Sequence, residues 1–236
     1  SPGVWGLSIT RYNQFCPIAK AAEVLGERWT ILIVRELLLG TTRFNDFQRA
    51  LSQISPSLLT KRLVQLQDFG LVLKKEIPAQ RRTEYFLTAA GKELKPIVLG
   101  LGEWGSRWAR GQMEDNDLDV ELLMIDLKRR IDIDALPGGQ QVFRFTFEGL
   151  NVYPHWWIVL DGHGGRELCV DNPGKPADVT IITNLRTMTE IWAGDTSIRE
   201  AKAAGTLRAS GNPVLLRTIS SWLRSGIFSA VRPAAK

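Results

Sequence analysis

The chain has 236 residues, of which 44% are hydrophobic and 23% charged, a balance typical of a folded globular protein. No apolar run reaches the roughly 18 residues of a membrane span, and the first residues lack the pattern of a secretory signal, so a cytoplasmic location without membrane association is expected. Residues 1–111 carry 16 basic residues against nine acidic ones, whereas residues 112–236 carry 14 against 16. A polyanionic partner is therefore expected only at the front half.

Composition changes sharply twice along the chain. Residues 114–119 are acidic, and Leu136 to Gly139 has the Pro-Gly-Gly pattern of a loop. We therefore predict a first domain over 1–111, a helical linker over 112–139 and a second domain over 140–236. The amphipathic stretch 120–131 is either that connector or the first helix of the second domain.

The first half is predicted to be mostly helical, with helices over 18–39, interrupted near Gly26, and over 44–51. A further helix follows, for which Ser55 is a good N-cap, Pro56 suits the first turn and Gly70 is a natural stop. Its leucines form one stripe, and the opposite face carries short polar and basic side chains. Two helices joined by a brief turn make a helix-turn-helix.

A hairpin is predicted after this helix, from Leu71 to Thr88, with a basic tip near Arg81. A hairpin in this place is the wing of a winged helix, and its arginines suit phosphates or a minor groove. The same elements also occur in protein-interaction domains, so the pattern alone leaves both uses open. The residues predicted to meet DNA are Arg43, Ser55, Pro56, Ser57, Thr60, Lys61, Arg62, Gln65, Arg81 and Arg82.

The order of motifs over residues 16–108 resembles the HxlR-type family of bacterial winged-helix regulators. The matching segments are Cys16-Pro17, 25–33, 35–38, 43–47, 54–63, 70–72, 84–88 and Trp104-Gly105. The resemblance implies a homodimer that binds a two-fold-related site in double-stranded DNA and regulates transcription. It also implies a dimer interface formed by Trp5, Phe15, Leu101, Trp104 and Trp108, although the helical spacing of the last three is equally compatible with an intramolecular core.

Two cysteines, Cys16 and Cys169, and two histidines do not form a convincing zinc set or disulfide framework, so no metal or cofactor is predicted. Some HxlR-type regulators sense oxidants through a cysteine near the position of Cys16. Cys16 is thus either a redox sensor or an ordinary thiol, and sensing requires a partly exposed thiol in a positive environment.

In the second half of the chain, apolar residues recur with a period of two, as in β-strands. Strands are predicted over 142–147, 155–160, 166–170 and 179–183, and helices over 185–193, 197–204 and 213–223. Strands followed by helices give an α+β class. No set of residues with the spacing of a catalytic site is present, so no enzymatic activity is predicted.

Residues 140–228 resemble the sterol-carrier-protein-like fold, chiefly in the strand, Gly-Asp turn and helix pattern of 177–212. The resemblance implies an α/β sandwich with a mixed or antiparallel sheet and an apolar cavity for a fatty-acid-like or sterol-like molecule. A solid core, or a dimerisation or partner-docking role, are the competing interpretations. The candidate cavity residues are Phe143, Phe145, Phe147, Trp156, Ile158, Met188, Trp192 and Trp222.

Together these patterns predict a dimeric, ligand-responsive, sequence-specific transcription regulator. The alternative is a lipid-binding or carrier protein whose winged helix serves only for association. That alternative predicts weak DNA binding that is steeply salt-dependent and indifferent to sequence.

Overall fold

A computed structural model of the chain describes residues 11–112 and 114–234. The chain separates into two compact units, with the division between Gly102 and Glu103. None of the helices within the described ranges has the length and apolar character needed to cross a bilayer. Trp5, predicted at a dimer interface, lies outside the described residues.

The first unit has the element order of a winged helix. Its elements are α1 (Pro17–Leu25), α2 (Thr30–Leu38), α3 (Phe44–Ala50), α4 (Pro56–Asp68), β1 (Val72–Ile77), β2 (Arg82–Leu87), α5 (Ala89–Lys92) and α6 (Lys95–Trp108), and α6 contains the division between the units. Strands β1 and β2 form the predicted hairpin, which is antiparallel from Val72↔Leu87 to Ile77↔Arg82.

The core of the first unit is formed where α2, α3, α4 and the hairpin meet. The predicted α4 stripe is confirmed, because Leu59, Leu63 and Leu66 are almost completely buried. They pack with Phe47 of α3, whose ring contacts the edge of Tyr85 on β2 at a centroid distance of 6.4 Å. Burial of these side chains fixes which face of α4 remains in solvent.

The second unit is a five-stranded sheet with helices. Its strands are β3 (Gln141–Glu148), β4 (His155–Leu160), β5 (Arg166–Cys169), β6 (Val179–Asn184) and β7 (Leu207–Gly211), in the order β5-β4-β3-β6-β7. Its helices are α7 (Val120–Arg130), α8 (Leu185–Ala193), α9 (Ile198–Ala203), α10 (Pro213–Arg217) and α11 (Ile219–Trp222). The sheet is mixed, because β3 and β6 are parallel and the other pairs are antiparallel. The helix predicted over 213–223 is divided at Thr218.

Helix α7 differs from the predicted linker over 112–139. It buries Met124 and Leu127 within the second unit and contacts β5 and α8. The Arg166 guanidinium donates hydrogen bonds to the backbone carbonyls of Lys128 and Arg129 at the carboxyl end of α7. A helix with a buried apolar face and a capped end is part of the folded unit, which is the second of the two interpretations that the sequence allows.

Candidate functional site

Local hydrogen bonds fix the first turn of helix α4. The Ser55 hydroxyl accepts a hydrogen bond from the Leu58 amide at 3.3 Å, and Pro56 occupies the first turn, as predicted. The Thr60 hydroxyl donates to the Pro56 carbonyl at 2.9 Å. The Ser55 and Ser57 hydroxyls are 3.2 Å apart. The amino-terminal half of α4 is thus a short polar surface.

The exposed face of α4 contains five of the predicted DNA-contacting residues: Ser55, Pro56, Ser57, Thr60 and Lys61. Val64 continues this face and is 38% exposed. Small hydroxyl side chains beside one lysine permit close approach to base edges and to a phosphate. This composition suits the major groove of DNA.

Two predictions on this helix are corrected by the structure. Arg62 and Gln65 are buried, at 6% and 7% exposure. The Arg62 guanidinium bonds to the Glu27 carboxylate at 2.6 Å, the Gln65 side-chain oxygen at 2.7 Å and the Arg28 carbonyl at 3.0 Å. These three acceptors turn Arg62 toward the turn between α1 and α2, so it lies off the exposed face.

The hairpin tip also differs from a simple basic loop. Residues Pro78–Gln80 form a short 3-10 turn, and Arg81 follows in the left-handed region at φ 46° with an exposed side chain. Arg82 is already in β2 and half-buried, where it forms an ion pair with Glu84 at 2.7 Å. The structure thus assigns different environments to the two predicted arginines.

The wing is fixed to the helices by backbone contacts. The Tyr85 amide donates to the Thr42 carbonyl at 2.8 Å, and Arg43 forms an isolated antiparallel bridge with Glu84. The Thr88 hydroxyl donates to the Gly70 carbonyl at 2.7 Å. The wing and α4 are therefore held as one surface.

A row of large apolar side chains lies exposed on α6. Leu101, Trp104 and Trp108, which we call the α6 stripe, are 46%, 61% and 57% exposed. Phe15, before α1, is fully exposed. These side chains are exposed in the part of the chain that the structure describes, and their role in a dimer interface stays a prediction.

The candidate cavity residues of the second unit form a packed core. Seven of the eight are at most 2% exposed: Phe143, Phe145, Phe147, Trp156, Ile158, Met188 and Trp222. The Phe143 and Trp222 rings stack with centroids 4.4 Å apart. The Trp192 indole donates to the Asp126 carboxylate. In this structure these side chains are buried, and α11 places Trp222 directly against the sheet, while their role in ligand binding stays a prediction.

Cys16 immediately precedes α1 and is half-buried, and it does not form a disulfide with Cys169. Its backbone carbonyl accepts the Lys20 amide at 3.0 Å. The Lys20 ammonium is directed to the Glu23 carboxylate at 3.0 Å, which lowers the pKa of that carboxyl. The cation nearest in sequence is thus already paired with another group.

Comparison with known proteins finds two family models that match different parts of the chain. Residues 24–113 match the HxlR-like helix-turn-helix family, and residues 124–224 match the SCP-2 sterol transfer family. An HTH-type transcriptional regulator of Bacillus subtilis, YvaP, is 39% identical over 98 residues, which are 41% of this chain and 91% of that protein. The HTH-type transcriptional regulator sll1512 of Synechocystis is 38% identical over 114 residues, 47% of this chain and 80% of that protein.

Among solved structures, the reduced transcriptional regulator YodB from B. subtilis is 27% identical, with a TM-score of 0.37 over 42% of this chain and 98% of that one. The winged helix of the first unit, together with its match to HTH-type transcriptional regulators, supports a DNA-binding transcription regulator. The chain belongs to the HxlR-like helix-turn-helix family and carries a domain of the SCP-2 sterol transfer family.

Proposed function

We propose that this protein is a homodimeric regulator that recognises a specific two-fold-related DNA site and responds to an apolar ligand in its second unit. The observation that carries the proposal is the exposed face of α4, where Ser57, Thr60 and Lys61 lie beside a wing that exposes Arg81. Side chains of this kind read base edges from a helix, while the wing contacts the backbone.

Lys61 provides the sharpest test of the DNA interface. Lys61→Ala removes an exposed cation from α4, and we expect DNA affinity to fall about tenfold, which corresponds to the loss of one charged contact. Lys92→Ala is the matched control, because Lys92 is also exposed in the first unit and its removal changes net charge equally. Fluorescence anisotropy would use the duplex that the wild-type protein selects from a random-sequence library.

The two variants separate recognition from charge alone. Equal losses of DNA affinity in Lys61→Ala and Lys92→Ala would show that the exposed face of α4 makes no specific contact with DNA. A wild-type protein that selects no sequence at moderate salt would contradict the proposed regulator. It would favour the carrier alternative, in which the winged helix serves only for association.

The homodimer is supported by the α6 stripe, because exposed tryptophans and leucine in a row are costly in a monomer. Trp104→Glu is expected to shift the protein toward monomer in sedimentation velocity at micromolar concentration. Val214→Glu is the control, since Val214 is 51% exposed on α10 of the second unit. An unchanged sedimentation coefficient in Trp104→Glu, with the wild type a dimer, would place the interface elsewhere.

The apolar effector is supported by the SCP-2 sterol transfer family match and by the buried aromatic side chains of the sheet and of α11. Palmitate and cholesterol are suitable probes. Saturating ligand at about 100 times its Kd is expected to stabilise the folded state by about 2.7 kcal/mol. Coupling further requires that the ligand change DNA affinity in the anisotropy assay. Stabilisation without that change would leave a ligand-binding unit that does not regulate.

A further inference from the structure

Glu84 lies midway along the wing hairpin, with arginines on two sides. Its carboxylate oxygen Oε1 is 2.7 Å from the Arg82 guanidinium and 3.8 Å from Nε of Arg43. Arg82 is two residues away on the same strand, so both side chains project from the same side of β2. Arg43 is brought in by its antiparallel bridge to Glu84. Two guanidinium groups thus meet at one atom.

The acid and the two bases have very different exposure. The Glu84 side chain is 11% exposed, whereas those of Arg82 and Arg43 are 33% and 53% exposed. Nε of Arg82 is buried without a hydrogen-bond partner. The carboxylate is therefore beneath the surface, whereas about half of the Arg43 side chain and a third of the Arg82 side chain remain accessible to a partner.

The neighbouring cation does not compete for Glu84. Lys75 is directly opposite Glu84 in the hairpin, but its ammonium lies over the Phe86 ring at 5.3 Å. One buried carboxylate therefore holds the exposed Arg43 and the half-buried Arg82, which leaves a net positive charge at this surface. A guanidinium can donate from two edges, so each arginine can contact Glu84 and a second anion at once.

We propose that Glu84 is a positioning residue that holds Arg43 and Arg82 together as a clamp for one phosphate of the DNA backbone. This inference rests on the proposed DNA binding and assigns a specific phosphate-contacting pair within it. An arginine without its orienting partner must lose more side-chain freedom when it binds a phosphate. Glu84 contributes by fixing that geometry in advance.

The test depends on whether one substitution raises or lowers the affinity for DNA. Glu84→Gln removes a negative charge, so a charge effect alone would strengthen binding to the polyanion. The clamp predicts the opposite, namely a loss of affinity of about tenfold, which is the cost of immobilising one or two long side chains on binding. Because the contact is to the backbone, the loss is expected to be equal for the selected duplex and for a mixed-sequence duplex of the same length.

A second background separates positioning from a general structural effect. In an Arg43→Gln/Arg82→Gln protein there are no guanidinium groups left to orient, so adding Glu84→Gln should leave affinity unchanged or slightly increased. If Glu84→Gln weakens binding equally in both backgrounds, its role is structural and the inference is wrong. Tighter binding of Glu84→Gln in the wild-type background overturns it as well.

Glu84→Asp covers the case in which Glu84→Gln does not fold, because it keeps the charge and withdraws the carboxylate by one methylene. A loss of affinity in this variant, with an unchanged melting temperature, supports the clamp, and unchanged affinity contradicts it. The wild-type measurement distinguishes the two levels of proposal. Failure of the wild type to bind DNA overturns the proposed function. If the wild type binds DNA and Glu84→Gln binds it more tightly, only the clamp is overturned.

Discussion

Adjacent residues of α4 are expected to behave in opposite ways when each is replaced by alanine. Lys61 is exposed, whereas Arg62 is buried and donates to Glu27, Gln65 and the Arg28 carbonyl. Lys61→Ala should therefore change stability by less than about 0.5 kcal/mol. Arg62→Ala removes the donor of all three bonds and leaves their acceptors without it.

The expected cost of Arg62→Ala follows from what it leaves behind. Removing one partner of a buried ion pair costs about 3–5 kcal/mol, because the other partner remains buried and unpaired. The Glu27 side chain is 27% exposed and thus reachable by water, which places the cost near the lower limit, at about 3 kcal/mol. An energy of that size corresponds to a change of about a hundredfold in the unfolding equilibrium.

Hydrogen-exchange mass spectrometry can measure this cost in the first unit alone. Peptides that cover residues 30–38 report on the buried helix α2, and their amides exchange through unfolding of that unit. We expect exchange to be about a hundredfold faster in Arg62→Ala and unchanged in Lys61→Ala.

DNA binding supplies the complementary measurement and the refuting result. Affinity per folded molecule should fall in Lys61→Ala. If Arg62→Ala exchanges like the wild type but loses DNA affinity as Lys61→Ala does, then Arg62 is a DNA contact and its assignment to the buried network is wrong.

Two further predictions concern the second unit. Trp222→Ala removes the ring that stacks on Phe143 and should destabilise the unit by about 4 kcal/mol, measured by urea unfolding. Asp132 has a pKa lowered from its ordinary value of 3.8, first by its hydrogen bond with Arg224. Its contribution to stability is thus present above the unfolded pKa and lost as pH falls through the folded pKa. Asp132→Asn should therefore be less stable than the wild type at neutral pH, and the difference should vanish in acid.

Local patterns predicted much of the geometry of the proposed DNA-binding surface. The N-cap at Ser55, the leucine stripe of α4 and the hairpin after Gly70 all follow from short-range spacing, and the structure confirms them. Arg62 could not be placed in this way, because its position on the helix leaves it at the edge of the polar face. Its partner Glu27 is 35 residues earlier, and such a pairing becomes visible only when α1, α2 and α4 are packed together.

The same limit applies to the second unit. Alternation predicted that Phe143, Phe145 and Phe147 share one face of a strand, which is what the sheet shows. Whether that face borders a void depends on Trp222, which arrives from a helix far along the chain. The parallel pairing of β3 with β6 is likewise non-local, since it depends on how the intervening β4–β5 hairpin is placed.

The packed core restricts what the proposed effector can be. A ligand that enters between the sheet and α11 must displace contacts such as Trp222 on Phe143, at a cost comparable to losing a buried aromatic side chain, about 3–5 kcal/mol. Each buried methylene returns only about 0.8 kcal/mol, so a chain of about eight carbons scarcely offsets this cost and that of association. Affinity should therefore increase about fourfold per added methylene, and octanoate should bind far more weakly than palmitate in a titration followed by tryptophan fluorescence. Equal affinities for the two acids would place the ligand on the surface of the unit and leave the core without a part in the response.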